Sequence, residues 1–247
     1  MCETCGCGTA NEHHHHEHGD GHHYHHDHEH RHTKTVTLEQ KVLAQNDALA
    51  DQNRSWLAER GVVAINLISA PGSGKTFLLE KTLEALDGTI KCAVITGDQQ
   101  TDRDAQRLQG KGAKIHQIET ISSCHLDAHQ VSHAMEAVVD EGTRLLFIEN
   151  VGNMVCPTAF DLGESFKVAL LSTPEGEDKP IKYPVLFATA KAIVLTKMDL
   201  ADALDWDLAA CRKYIQHVQP GANVIELSAK SGNGMEAWLN YLQRLVQ

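Results

Sequence analysis

The chain of 247 residues has no stretch of about 18 consecutive apolar residues, the length a membrane-spanning helix needs, so no membrane segment is expected. It is also short of positive charge. Lys and Arg number 22 against 33 Asp and Glu, a net charge of −11. That balance argues against a broad basic surface for nucleic acid or anionic lipid. Residues 1–30 are polar and lack the apolar core of a secretory signal, so a cytoplasmic protein is expected. Cytosolic thiols stay reduced. Clustered cysteines in that setting read as metal ligands or redox groups rather than structural bridges.

What is present begins with such a cluster. The opening "MCETCGCG" holds Cys2, Cys5 and Cys7, three of the chain's seven cysteines. Residues 13–32 hold 12 of the 17 histidines, interleaved with Glu, Asp, Gly and Tyr. This tract has nothing apolar to bury and cannot build a core. Neutral imidazoles are borderline-soft ligands for nickel, zinc or copper, so it reads as a flexible, multi-site metal buffer. A solubilising tail is the plainer alternative. Residues 1–36 are therefore expected to be a disordered Cys/His-rich metal-binding arm, and 37–247 a single domain.

That domain opens on a helical lead-in over 37–61, ended by Gly61. Apolar runs at 62–68, 92–95, 144–148, 167–171 and 192–195 read as buried strands. Segments near 75–86, 101–109, 125–140, 204–217 and 233–246 read as helices. The alternation predicts an α/β fold, a mostly parallel sheet flanked by helices. The segment 172–184, with three prolines and several charges, reads as an exposed loop.

The first strand runs into "SAPGSGKT", residues 69–76. Gly74, Lys75 and Thr76 match the end of the G-x-x-x-x-G-K-[ST] phosphate-binding pattern, with Ser69 where its first Gly would stand. Gly72, Ser73 and Gly74 are small enough for backbone N–H groups to curl around phosphate at a helix N-terminus. Lys75 would contact β/γ-phosphates, and Thr76 would hold magnesium. "TKMD", Thr196 to Asp199, resembles the N-K-x-D guanine motif of GTPases, with Thr replacing Asn. The Asp199 carboxylate would accept from guanine N1–H and the exocyclic amine, and Lys197 would lie along the ring. "SAK", with Ser228, Ala229 and Lys230, follows the apolar run NVIEL, read as a further strand, and resembles the loop that meets guanine O6. Asp98 is a magnesium candidate. Asp102 and Asp104 are further candidates, equally well read as helix-capping groups. Glu149 stands where classical GTPases place the Asp of D-x-x-G, followed by Gly152. The catalytic set is thus Lys75, Thr76, Asp98 and Glu149.

Two more thiols stand out. Cys124 and His125 lie at the entry to an expected helix, and Cys156 follows "ENVGN". In a nucleotide fold such strand-end loops share one face, so the three could converge on a metal. They make an incomplete tetrahedral or square-planar set. His129 and His133 continue at i+4 spacing from His125 and read as solvated surface groups. Cys92 and Cys211 read as small core residues.

Together these motifs resemble the HypB family, the nickel-binding GTPases of nickel–iron hydrogenase maturation. The marks are the Cys2/Cys5/Cys7 start, the His tract, "PGSGKT", "GDQQTDRDAQR", "CHLDAH", "ENVGN", "EGEDKPIKYP" and "TKMD". The resemblance implies a SIMIBI-class P-loop fold, a GTP-dependent homodimer and slow GTP hydrolysis. It implies a tight nickel site at Cys2, Cys5 and Cys7. It implies a weaker nickel or zinc site at Cys124, His125 and Cys156, at the subunit interface. It further implies delivery of nickel to the hydrogenase large-subunit precursor with a companion nickel metallochaperone. Competing readings are the related GTPase of urease maturation, a nickel store with a vestigial G-domain, and a P-loop small-molecule kinase. The N-terminal cysteines and "CHLDA" favour the hydrogenase branch.

Overall fold

The computed structural model describes residues 28–98, 103–120 and 124–247. Helix α1 (His28–Glu59) precedes β1 (Val63–Ile68). Then follow α2 (Lys75–Leu86), β2 (Cys92–Asp98), α3 (Arg103–Leu108), β3 (Lys114–Glu119), α4 (Ala128–Val138) and β4 (Leu145–Glu149). The second half holds α5 (Cys156–Ala159), β5 (Phe166–Ser172), α6 (Lys179–Lys182), α7 (Pro184–Thr189), β6 (Ala192–Thr196), α8 (Leu208–Val218), β7 (Asn223–Glu226) and α9 (Met235–Leu245).

The strands form one seven-stranded sheet in the order β3-β2-β4-β1-β5-β6-β7, with every pair parallel. Strands β4 and β6 are buried along their whole length, and β1 in all but its first residue. Continuous burial requires cover on both faces, which the helices provide. Side chains alternate between those faces. Ile65, Leu67, Phe147, Val168 and Val194 pack with Leu78 and Leu83 of α2 and Trp238 and Leu242 of α9. On the other face, Ala64, Ile95 and Ile148 meet Leu57 of α1 and Val131 and Met135 of α4. Ile68, Leu171 and Ile193 meet Leu186 and Phe187 of α7 and Ile215 of α8. Each such large apolar side chain contributes about 1.5–3 kcal/mol on burial. Cys92 and Cys211 lie in these cores, and burial pushes both thiols up to about 12. No helix among the described residues is long and apolar enough to cross a membrane.

Helix α1 is fixed by amides rather than by a broad apolar stripe. Buried Asn53 donates from Nδ2 to the carbonyls of Ala128 (2.8 Å) and Leu162 (3.0 Å). Asn46 donates to Asp161 O (2.7 Å) and accepts from Ala128 N (2.9 Å). Gly163 lets the two segments touch: a Cβ there would lie 2.6 Å from Ala50 O. The helix ends as expected at Gly61, whose φ of 63° is a left-handed C-terminal conformation.

Four local expectations change. Helix α1 begins at His28, so residues 28–36, expected to belong to the disordered arm, are helical and run on into the lead-in. Strand β3 was not among those expected from apolar runs. Its sequence KIHQIE has only two apolar residues, Ile115 and Ile118, among four polar ones at the sheet edge, so no continuous apolar run marks it. The segment 172–184 is not a plain loop. It holds a 3-10 turn at Thr173–Glu175 and helix α6, and it leads into α7, each with a proline in its first turn. Proline is favoured there because its missing N–H would be unpaired anyway. Finally, α4 starts at Ala128, not 125. Asp127 caps it, accepting from Gln130 N at 2.8 Å, while the Gln130 side chain accepts from Asp127 N. Cys124 and His125 therefore lie in the preceding loop, and His125 does not share a helical face with His129 and His133.

Candidate functional site

The central strand β1 ends at Ile68, and the chain turns through Ser69–Gly74 into α2. Gly72 (φ 74°) and Gly74 (φ 94°) take left-handed conformations, which glycine adopts without steric cost. Ser69, at the departure from the phosphate-loop pattern, is fully buried, and its Oγ accepts from Lys75 Nζ at 2.8 Å. The substitution thus gives the loop's lysine an acceptor. Thr76 Oγ1 donates to Glu149 Oε1 at 2.7 Å, across from the end of β4. These two hard oxygens suit magnesium, which takes one or two protein oxygens and completes its octahedron with phosphate and water. A cleft of about 680 Å³ is walled by Gly72, Gly74, Lys75, Thr76, Glu149 and Gly152, among others.

A second cleft, of about 260 Å³, shares Gly74, Phe77 and Lys197 with the first. Asp199, Ser228, Ala229 and Lys230 line it. Asp199 Oδ1 accepts from Ser228 Oγ at 2.6 Å, which orients the carboxylate. Lys197 adopts φ 58°, a conformation uncommon for a residue other than glycine. Its Nζ donates to Gly72 O at 2.7 Å, and its own carbonyl accepts from Thr173 Oγ1 at 3.0 Å. Thr196, in place of the motif's Asn, donates to Ser73 O at 2.7 Å. The shorter side chain therefore still ties the base loop to the phosphate loop.

Cys124, His125 and Cys156 come together, with their ligand atoms all within 4.8 Å of one another. Cys124 Sγ lies 3.5 Å from His125 Nδ1. The imidazole stacks on Phe160 at 3.8 Å between centroids. Burial pulls the His125 pKa down, against an opposing pull from Asp127, which favours the neutral ring that can offer a lone pair. The turn after Glu149 holds the Cys124–His125 half of this cluster and leads directly into Cys156, with Asn153 Oδ1 accepting from Val155 N at 2.8 Å. Asn150 Oδ1 accepts from Leu126 N (3.4 Å) and Val151 N (2.9 Å), and its Nδ2 donates to Asn66 Oδ1 (3.2 Å). Asn153 donates to Cys124 O at 3.5 Å. Gly152 lies so close to the phosphate loop that a Cβ would stand 2.9 Å from Pro71 Cα.

His129 and His133 approach each other on the exposed face of α4, with Nε2 atoms 3.3 Å apart. Asp98 ends β2, but its side chain, that of Asp104, and residues Asp102, Cys2, Cys5 and Cys7 lie outside what the structure describes, as does the His tract through residue 27. Sequence reasoning missed Asn150 and Arg107, both in the wall of the larger cleft, and Glu175, whose Oε2 accepts from Ser73 Oγ at 2.7 Å. "ENVGN", "GDQQTDRDAQR" and "EGEDKPIKYP" flagged all three as segments. Only the fold shows which side chains face the cleft.

Residues 63–226 match the family described as the CobW/HypB/UreG nucleotide-binding domain. The hydrogenase maturation factor HypB of Azotobacter vinelandii is 51% identical over 207 residues, 84% of this chain and 68% of that protein. The chain belongs to the HypB family of hydrogenase maturation factors. The crystal structure of HypB from Archaeoglobus fulgidus superposes with a TM-score of 0.78 at 39% identity, covering 83% of this chain and all of that one. The structure of HypB from Helicobacter pylori in complex with nickel gives the same TM-score at 36% identity, over 82% of this chain and 95% of that one. The sheet and phosphate loop are accordingly those of a P-loop nucleotide-binding fold within a GTPase family.

Proposed function

We propose that the protein is a GTP-hydrolysing nickel metallochaperone that delivers nickel to the nickel–iron hydrogenase large-subunit precursor, with nucleotide state gating the metal. The reading rests above all on one observation. The Cys124–His125–Cys156 cluster hangs from the Asn150–Asn153 turn, which begins directly after Glu149 and lines the phosphate cleft. Gly72–Thr76 would cradle the phosphates, and Lys75 would neutralise β/γ charge. Thr76, Glu149 and Asp98 would hold magnesium, which supplies charge neutralisation across the phosphates. Lys197, Asp199 and the Ser228–Lys230 loop would select guanine. Displacement of the turn by γ-phosphate would alter ligand geometry at Cys124 and His125. A coupling of about 1–3 kcal/mol changes affinity roughly 5–150-fold.

The remaining parts follow the same logic. Three ligands leave a place for solvent or for a second copy in a GTP-dependent homodimer, with nickel or zinc as cargo. Cys2, Cys5 and Cys7, in the segment that precedes α1, form the tight nickel clamp, and the His tract stores metal for it. The domain of residues 37–247 works in the cytoplasm with a companion metallochaperone, at a slow intrinsic rate. The test is complementation at limiting nickel in a host lacking its own HypB relative. Lys75→Ala is expected to abolish hydrogenase maturation while the protein still accumulates. Full maturation by that variant would show that nickel storage, not nucleotide use, is the function.

A further inference from the structure

The segment after β5 has no part in the function above, yet it enters the nucleotide site. Glu175 Oε2 accepts from Ser73 Oγ (2.7 Å), Ser172 Oγ (2.7 Å) and Ser172 N (2.9 Å). Its other oxygen, Oε1, is buried with no hydrogen-bond partner. Two residues earlier, Thr173 holds the Lys197 carbonyl. Ser73 is thus gripped twice: through its hydroxyl by Glu175, and through its carbonyl by Thr196 at 2.7 Å. Lys197 is gripped twice as well, by Thr173 and by Gly72.

We infer that Glu175 is a positioning residue for nucleotide, the anchor of a Ser172–Glu175 brace that sets the phosphate loop against the base loop. The chemistry favours this over a plain helix cap. A cap needs only the Ser172 bonds. The third bond crosses to the phosphate loop. The Ser73 hydroxyl has one proton and two acceptors in reach, Glu175 and Ala70 O at 2.8 Å. A carboxylate is the stronger acceptor, so the proton goes to Glu175 and the loop is tied outward to the brace rather than closed on itself. Without Glu175, Ser73 turns to Ala70, and the loop loses its fixed distance to Lys197 and Asp199.

The inference rests on the nucleotide-binding reading, and the test separates the two. Dissociation constants for a fluorescent GDP analogue are measured on the full chain for wild type, Ser73→Ala, Glu175→Ala and the double variant, with thermal melting of each. A charge-assisted bond of this kind predicts about a tenfold weaker complex for Glu175→Ala. The double variant is expected within about twofold of Glu175→Ala, because both changes cut one link. Glu175→Gln, which keeps the volume and one acceptor, is expected to lose about threefold, and it is compared with its own Ser73→Ala double where Glu175→Ala does not fold. Unchanged affinity with a lowered melting temperature overturns the inference and leaves Glu175 a structural cap. Additive losses overturn it too. A wild-type chain that binds no nucleotide refutes the function proposed above instead.

Discussion

Asn150 is where the nucleotide cleft and the metal cluster meet, and its replacement by alanine gives a graded test. The side chain is almost wholly buried. Asn150→Ala leaves Val151 N and Leu126 N without their acceptor, and Asn66 Oδ1 without its donor. An unsatisfied buried polar group costs about 1–3 kcal/mol, and the 3.4 Å bond counts at the low end, so about 3 kcal/mol of destabilisation is expected. For a domain of this size that lowers Tm by about 6–12 °C. The more informative effect is on coupling. Leu126 follows His125 directly, so the variant cuts the shorter of the two bonds that tie the ligand loop to the turn lining the phosphate cleft and leaves only the 3.5 Å contact from Asn153 to Cys124 O. Isothermal titration with nickel, in GDP and in a non-hydrolysable GTP analogue, is expected to give nearly equal affinities. Asn66→Ala is the control. It destabilises the same buried network but leaves the Leu126 bond in place, and it is expected to keep the nucleotide dependence. An Asn150→Ala chain with wild-type dependence would refute transmission through this side chain.

Asp199→Ala removes the acceptor expected to meet guanine and is predicted to weaken GDP binding at least tenfold while barely moving Tm, measured by fluorescence titration. Asn53→Ala removes the buried amide donor shared by the Ala128 and Leu162 carbonyls and is predicted to cost about 1–3 kcal/mol by urea denaturation, loosening α1 from the Leu162–Gly163 turn. Cys92 and Cys211, with pKa pushed up to about 12 by burial, are neutral thiols across the physiological range and become nucleophilic only as pH rises toward that value. Iodoacetamide at pH 8 is therefore expected to spare both in the native state and to modify half-buried Cys124, with nickel protecting the latter by mass spectrometry.

The sheet was legible because its inner strands are apolar without interruption. Stretches such as "AIVLT" and "LLFIE" have no other stable home than a doubly covered sheet. The phosphate loop was legible because its glycines, lysine and threonine are needed together. Convergence of Cys124, His125 and Cys156 could be guessed from topology, since all follow strands whose ends share one face. What escaped was mostly polar. Strand β3 carries Lys114, Gln117 and Glu119 at an edge, where half its groups meet water, so no apolar run announces it. Pro174, Pro180 and Pro184 look like loop markers in sequence, yet each sits in the first turn of a helix, where its fixed φ is an advantage. Asn46, Asn53, Asn150 and Glu175 act through partners far away in the chain, and no local spacing encodes such pairs.

Nucleotide state, in the function proposed above, sets metal affinity at the inner cysteine site. The most direct test of this gating is the nickel dissociation constant of a chain in which Cys2, Cys5 and Cys7 are replaced by alanine, measured with GDP and with a non-hydrolysable GTP analogue, each with magnesium. The predicted result is a difference of about 5–150-fold between the two states, abolished by Cys124→Ala. Equal affinities in both states would refute nucleotide gating of the metal.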